Sequence, residues 1–198
     1  MASLISTRAS ELIRRLLTAG ILLTVCEGIP LYGWTQVDTD SRISKQQVEA
    51  AYLYKFGNYI TWPQTAFTTA DSPVVIGVSG ADALADELTS LVTGRTIANR
   101  SVVVRRVHAK DQLNGVNILF IGDTKSAQAD NLFQSVRGQP VLVVTEGDDG
   151  LDLGGAVSFV VIDDRVRFDV SLQAAQRNGL KLSALLLSVA HTVSGTQQ

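Results

Sequence analysis

Three short, uninterrupted apolar runs, each followed by a stretch of helical spacing or a tight turn, constrain this chain more than any other feature. Residues 74–78 (Val-Val-Ile-Gly-Val), 117–121 (Asn-Ile-Leu-Phe-Ile) and 141–145 (Val-Leu-Val-Val-Thr) carry no charged side chain. A strand with one face in water alternates apolar and polar residues, so strands without alternation are covered on both faces. Between them, residues 82–92 place Leu84, Leu88 and Leu91 at helical spacing, and residues 126–137 form a second helical segment closed by Gly138. Buried strands alternating with helices predict parallel pairing. Residues 101–107 are β-branched but hold Arg105 and Arg106, which predicts a strand with one wet face or a place at a sheet edge.

The flanks differ from this core. Residues 156–162 and 165–170 are parted only by Asp163-Asp164, the spacing of a β-hairpin, although no glycine supplies the turn. Ser171 predicts the cap of a helix ending at Asn178-Gly179, and Ser183 that of a final helix whose apolar residues are Leu185, Leu186, Val189 and Val193. On the other flank Ser44 predicts a helix start, with Val48, Ala51, Tyr52, Leu53 and Phe56 as its apolar face, and Ile60-Thr61-Trp62-Pro63 ends it. The expected fold is therefore α/β: a single-domain three-layer sandwich with a mostly parallel central sheet of about six strands, an antiparallel C-terminal hairpin and helices on both faces.

Residues 1–36 stand apart. Arg8, Arg14 and Arg15 precede an uncharged run over residues 16–26, about half the roughly 20 residues of a membrane-spanning helix. That order is the mark of a secretory signal peptide over residues 1–36, followed by a polar linker over 37–44 and the folded domain over 45–198. Its removal takes the 17 basic and 19 acidic residues to 14 and 17, a balance with no basic footprint for nucleic acid. Cys26, the sole cysteine, leaves with it unless it is lipidated, so the exported form is expected to hold no disulfide.

Few constellations suggest chemistry. Gly77-Val78-Ser79-Gly80-Ala81 lies where a nucleophile elbow would, with His191 later in the chain, but Ala81 replaces the usual glycine and His191 falls in a predicted helix. A tight turn after a buried strand explains Ser79 more simply. His108 and His191 are the two histidines and have no zinc spacing; Asp148, Asp149 and Asp152 lack the terminal glutamate of a calcium loop. No catalytic residue, metal or cofactor is expected. Gly154-Gly155 precedes a strand, so it reads as a turn rather than a dinucleotide fingerprint. Arg100, Arg105 and Arg106 form a small basic cluster, and Trp62 beside Pro63 is either an interface anchor or cover for one end of the core.

An ordered set of segments carries a resemblance. Ala50-Ala51-Tyr52-Leu53-Tyr54-Lys55-Phe56, Ile60-Thr61-Trp62-Pro63, Gly94-Arg95, the strand over 102–106, Gly154-Gly155-Ala156-Val157-Ser158-Phe159-Val160, Arg167-Phe168-Asp169-Val170-Ser171-Leu172 and Gly179-Leu180-Lys181-Leu182-Ser183 together resemble the YfiR-like family over residues 46–193. The resemblance implies a periplasmic regulator that binds the periplasmic region of an inner-membrane diguanylate cyclase, inhibits it, and so lowers cyclic-di-GMP and biofilm formation. It also implies relief by an outer-membrane lipoprotein, and a homodimer. Family members often carry a cysteine near Val116 or Asn117, absent here, which puts redox control by disulfides in doubt. Trp62, Arg105, Arg106, Gly154, Gly155, Arg167 and Asp169 are the residues expected to meet a partner or ligand. Two alternatives stay open: a periplasmic small-ligand sensor acting on another membrane protein such as a sensor kinase, and a serine hydrolase built on Ser79 and His191.

Overall fold

The uninterrupted apolar runs form the centre of one mixed sheet in a computed structural model of the chain. The structure describes residues 39–108 and 111–195, with side chains from residue 45 onward. The expected signal peptide and Cys26 lie outside the described residues. In chain order the elements are α1 (Thr39–Phe56), a 3-10 turn (Gly57–Tyr59), β1 (Ile60–Thr61), a second 3-10 turn (Gln64–Ala66), β2 (Val74–Ser79), α2 (Asp82–Val92), β3 (Thr96–Ile97), β4 (Arg100–Arg106), β5 (Val116–Ile121), α3 (Ala127–Val136) and β6 (Leu142–Glu146). There follow β7 (Val157–Ile162), β8 (Arg165–Ser171), α4 (Leu172–Arg177), β9 (Lys181–Leu182), α5 (Ala184–Ser188) and β10 (Thr192–Ser194).

The main sheet runs β10-β8-β7-β6-β5-β2-β4-β3, and β1 pairs with β9 in a separate antiparallel ribbon. Pairing is parallel from β4 through β2, β5 and β6 to β7, antiparallel across β7/β8 and β3/β4, and parallel again where β10 joins β8. The six expected strands are all present. β3 and β10 extend the sheet to eight strands, each two or three residues long and so without a periodicity to read.

Successive strand residues point to opposite faces, which divides the core in two. Ile76, Val78, Ile118, Phe120, Leu142 and Val144 join Leu53 and Phe56 of α1 and Leu84 and Leu88 of α2 in one cluster. On the other face Leu119, Ile121 and Val143 meet Ala129, Leu132 and Val136 of α3. Phe56 fixes α1 over the hairpin, its ring 5.9 Å from Phe159 and 5.1 Å from Phe168. Each such ring contributes about 1.5–3 kcal/mol by burial alone.

Three expectations are corrected at the flanks. The backbone is helical from Thr39, so most of the stretch expected as a linker belongs to α1 and Ser44 does not begin it; no glycine or proline there interrupts a helix. The buried face of α1 is also rotated: Glu49, Ala50, Leu53 and Phe56 are inside, whereas Val48 is 38% exposed. The last helix stops at Ser188 rather than running through Val193. There the His191 N–H donates to the Phe168 carbonyl, and Thr192–Ser194 lie along β8, so hydrogen bonds to the sheet edge outweigh helix formation by a segment rich in β-branched residues. The hairpin itself is closed as expected by two residues, Asp163 and Asp164, whose φ angles of 49° and 57° give the mirror-image turn without glycine.

Candidate functional site

β8 has to serve two environments, and its residues separate accordingly. Phe168 and Val170 point into the core under α1, while Arg165, Arg167 and Asp169 point to the opposite face. No helix of the second core cluster reaches that far across the sheet, since α3 packs on β5 and β6. The open face there becomes a groove of ≈ 450 Å³ lined by Ile162, Asp163, Arg165, Arg167, Val189, Ala190 and His191.

The groove has an apolar wall and a basic one. Ile162 is 37% and Val189 56% exposed, and Leu185, one helical turn before Val189, is 57% exposed. Arg165 and Arg167 are exposed and make no ion pair among the described residues. The C-terminal side is held in place by Asp169, whose Oδ1 lies 2.9 Å from Nδ1 of His191, with Thr192 in register beside it. Apolar area next to unpaired guanidinium groups is the chemistry of a protein-binding surface: arginine and burying side chains carry most of the energy at interfaces.

Other expected site residues do not gather here. Arg105 and Arg106 are adjacent on a strand and so face opposite sides; Arg106 pairs with Asp82 at 3.3 Å and Asp86 at 2.5 Å on α2, whereas Arg105 donates to the Gln112 carbonyl at 3.2 Å. Arg100 lies over the Phe67 ring at 4.0 Å and donates to the Ser72 carbonyl at 2.8 Å. The expected basic cluster is therefore three separate contacts, because the period of two parts Arg105 from Arg106 and the length of β4 parts Arg100 from both. Trp62 is half-buried, packed edge-on against Phe67 with centroids 6.1 Å apart, and its indole N–H has no partner among the described residues. Gly154 has φ 117°, and a Cβ on Gly155 would stand 2.8 Å from the Gly150 carbonyl oxygen, so both glycines meet demands of the turn that feeds β7. Gly154 also borders a second groove, of ≈ 260 Å³, with Phe133, Leu153 and Arg177.

Ser79 and His191 stand on β2 and just before β10, with four strands between them. At about 4.8 Å per strand they are roughly 20 Å or more apart, too far for nucleophile and base. Ser79 is buried and accepts a hydrogen bond from Gln128 at 2.9 Å. The turn reading of that motif is the one its geometry supports.

With the geometry described, the comparison with known families decides the grouping. The YfiR/HmsC-like family model matches residues 46–191. The chain belongs to that family. The match spans α1 from Gln46 to the edge of β10, and therefore takes in both cores and the whole groove. The YfiR/HmsC-like family is periplasmic and regulatory, with cyclic-di-GMP signalling as its theme. Among the described residues no helix is long and apolar enough to cross a membrane.

This YfiR/HmsC-like domain also buries a carboxylate that the expected site residues do not include. Glu49 is 2% exposed, on the buried face of α1. Lys45 lies 3.8 Å from it and hydrogen-bonds Glu146 at the end of β6. Burial, reinforced by the charge of Glu146 and opposed by Lys45, pushes the Glu49 carboxyl up to about 7. The signal was present: Glu49, Leu53 and Phe56 share one helical stripe at i, i+4 and i+7.

Proposed function

We propose that this chain is exported to the periplasm by the signal peptide over residues 1–36 and there binds the periplasmic region of an inner-membrane diguanylate cyclase, holding the enzyme inactive and lowering cyclic-di-GMP. The observation that carries the reading is the family match over residues 46–191. The groove beside β8 supports it by offering apolar area and two arginines without ion pairs among the described residues on the open face of the sheet. Inhibition of this kind is a population shift: moving a cyclase from 99:1 active to 1:99 requires the inhibitor to prefer the inactive state by about 10⁴-fold. An outer-membrane lipoprotein that competes for the inhibitor relieves the block, and a homodimer is the proposed assembly.

Deleting the gene should raise cyclic-di-GMP, and deleting the partner cyclase as well should abolish the rise. An unchanged level after the single deletion overturns the reading. The groove is tested separately with Arg165→Glu combined with Arg167→Glu: affinity for the purified periplasmic region of the cyclase should drop by at least about ten-fold and lose salt dependence, while the melting temperature stays put. Undiminished affinity moves the interface elsewhere without touching the regulatory assignment.

A further inference from the structure

Glu49 is a buried carboxylate whose Oε1 has no hydrogen-bond partner among the described residues. It lines a small cavity of ≈ 100 Å³ together with Lys45, Glu146, Asp148, Phe159 and Val161. Lys45 stands one turn earlier on the same helix, close to Glu49 at 3.8 Å but hydrogen-bonded to Glu146. Among the described side chains one ammonium therefore serves two carboxylates, one of them buried. Removing an ionised carboxylate from water without full pairing is costly, and the group escapes that cost by taking up a proton.

We propose that Lys45, Glu49 and Glu146 form a proton-operated latch that fastens the first half of α1 to the carboxyl ends of β6 and β7, closed while Glu49 is protonated and loosened when it ionises. In the closed state Lys45 and Glu146 make a one-to-one ion pair across the two elements, beside a neutral carboxyl. In the loosened state a second negative charge is added in the same small space, with Lys45 the one cation among the described side chains there to answer it.

The surroundings single out these three groups. Among the described residues Lys45 and Glu146 are the charges beside Glu49. β7 contributes Phe159, Val160 and Val161, none of which titrates, and Asp148 lies in the loop after β6. On α2, Asp82 and Asp86 are paired with Arg106, and Glu87 is not among the residues that line the cavity. Arg165 and Arg167 lie on the other face of the sheet. Burial first, then the charge of Glu146, raise the carboxyl from 4.5 to about 7. The folded state thus holds more protons than the unfolded one between those values, so stability falls as pH rises through that window and stays at its lower level above it.

The test is amide hydrogen exchange of α1 in the isolated full chain at pH 5.5 and pH 8.5, corrected for intrinsic exchange rates. Protection in the first half of α1 should drop by at least about ten-fold at the higher pH, and Glu49→Gln should hold the acid-side protection at both. Equal protection of the wild type at the two pH values, or the same drop in Glu49→Gln, overturns the latch. Should the variant not fold, the ¹³C carboxyl shift of Glu49 in the wild type decides: a midpoint near 7 supports the latch, and one near 4.5 overturns it. No partner takes part in either measurement, so the latch and the cyclase reading stand or fall separately.

Discussion

β5 buries all six of its residues, whereas β8, three places away in the same sheet, alternates buried with exposed ones. Both hold β-branched and aromatic residues and both have a strand on each side, although β10 reaches only Asp169–Ser171 of β8; the difference in burial of their faces lies in what covers them. β5 has α1 and α2 above it and α3 below; β8 has α1 above and solvent below. A strand sealed on both sides can only serve stability, while one sealed on a single side keeps a face for recognition. In this domain the second kind carries Arg165 and Arg167, which make no ion pair among the described residues, with Ile162 of β7 and Val189 exposed beside them.

The contrast can be broken by substitution. Phe120→Ala, at a fully buried ring on β5, should lower unfolding free energy by about 3–5 kcal/mol in a denaturant titration. A loss under about 1 kcal/mol would mean that the centre is not the tightly packed region described. Glu49→Gln should raise stability by about 1–3 kcal/mol at pH 8 and by much less at pH 5, measured by urea unfolding at both values. Gly150→Ala, whose added Cβ would overlap Thr145 Oγ1 and stand 2.5 Å from Ser158 Oγ, should cost about 1–3 kcal/mol.

The edge should respond far less. Asp169→Asn weakens the hold on His191, which should cost about 0.5–1.5 kcal/mol and speed exchange of the β10 amides. Val189→Ala, on the open groove, should change stability by no more than about 0.5 kcal/mol while reducing affinity for the partner. A large loss of stability at Val189 would erase the distinction between the two regions.

Much of this division was legible beforehand. The unbroken apolar runs announced covered strands, the arginines of β4 announced a strand near an edge, and Asp163-Asp164 announced a hairpin that the structure closes with two left-handed residues. Arg167 and Asp169 could be placed on one face by counting in twos, and the same count parts Arg105 from Arg106. In the C-terminal segment Leu185, Val189 and Val193 fit helical spacing and predict one long helix; Val193 instead joins β10, and all three remain exposed. Spacing ranks a segment's own preferences but does not include the hydrogen bonds that a distant edge offers.

The sequence by itself determined the parallel centre, the antiparallel turn-back and the family to which the chain belongs, because these follow from local periodicity and from residue order. Tertiary structure alone decided which face of β8 stays open and where Glu49 sits relative to Glu146, residues 97 positions apart on α1 and β6. Burial and charge act through space, and the distances that set them exist only once the helix has been laid across the sheet.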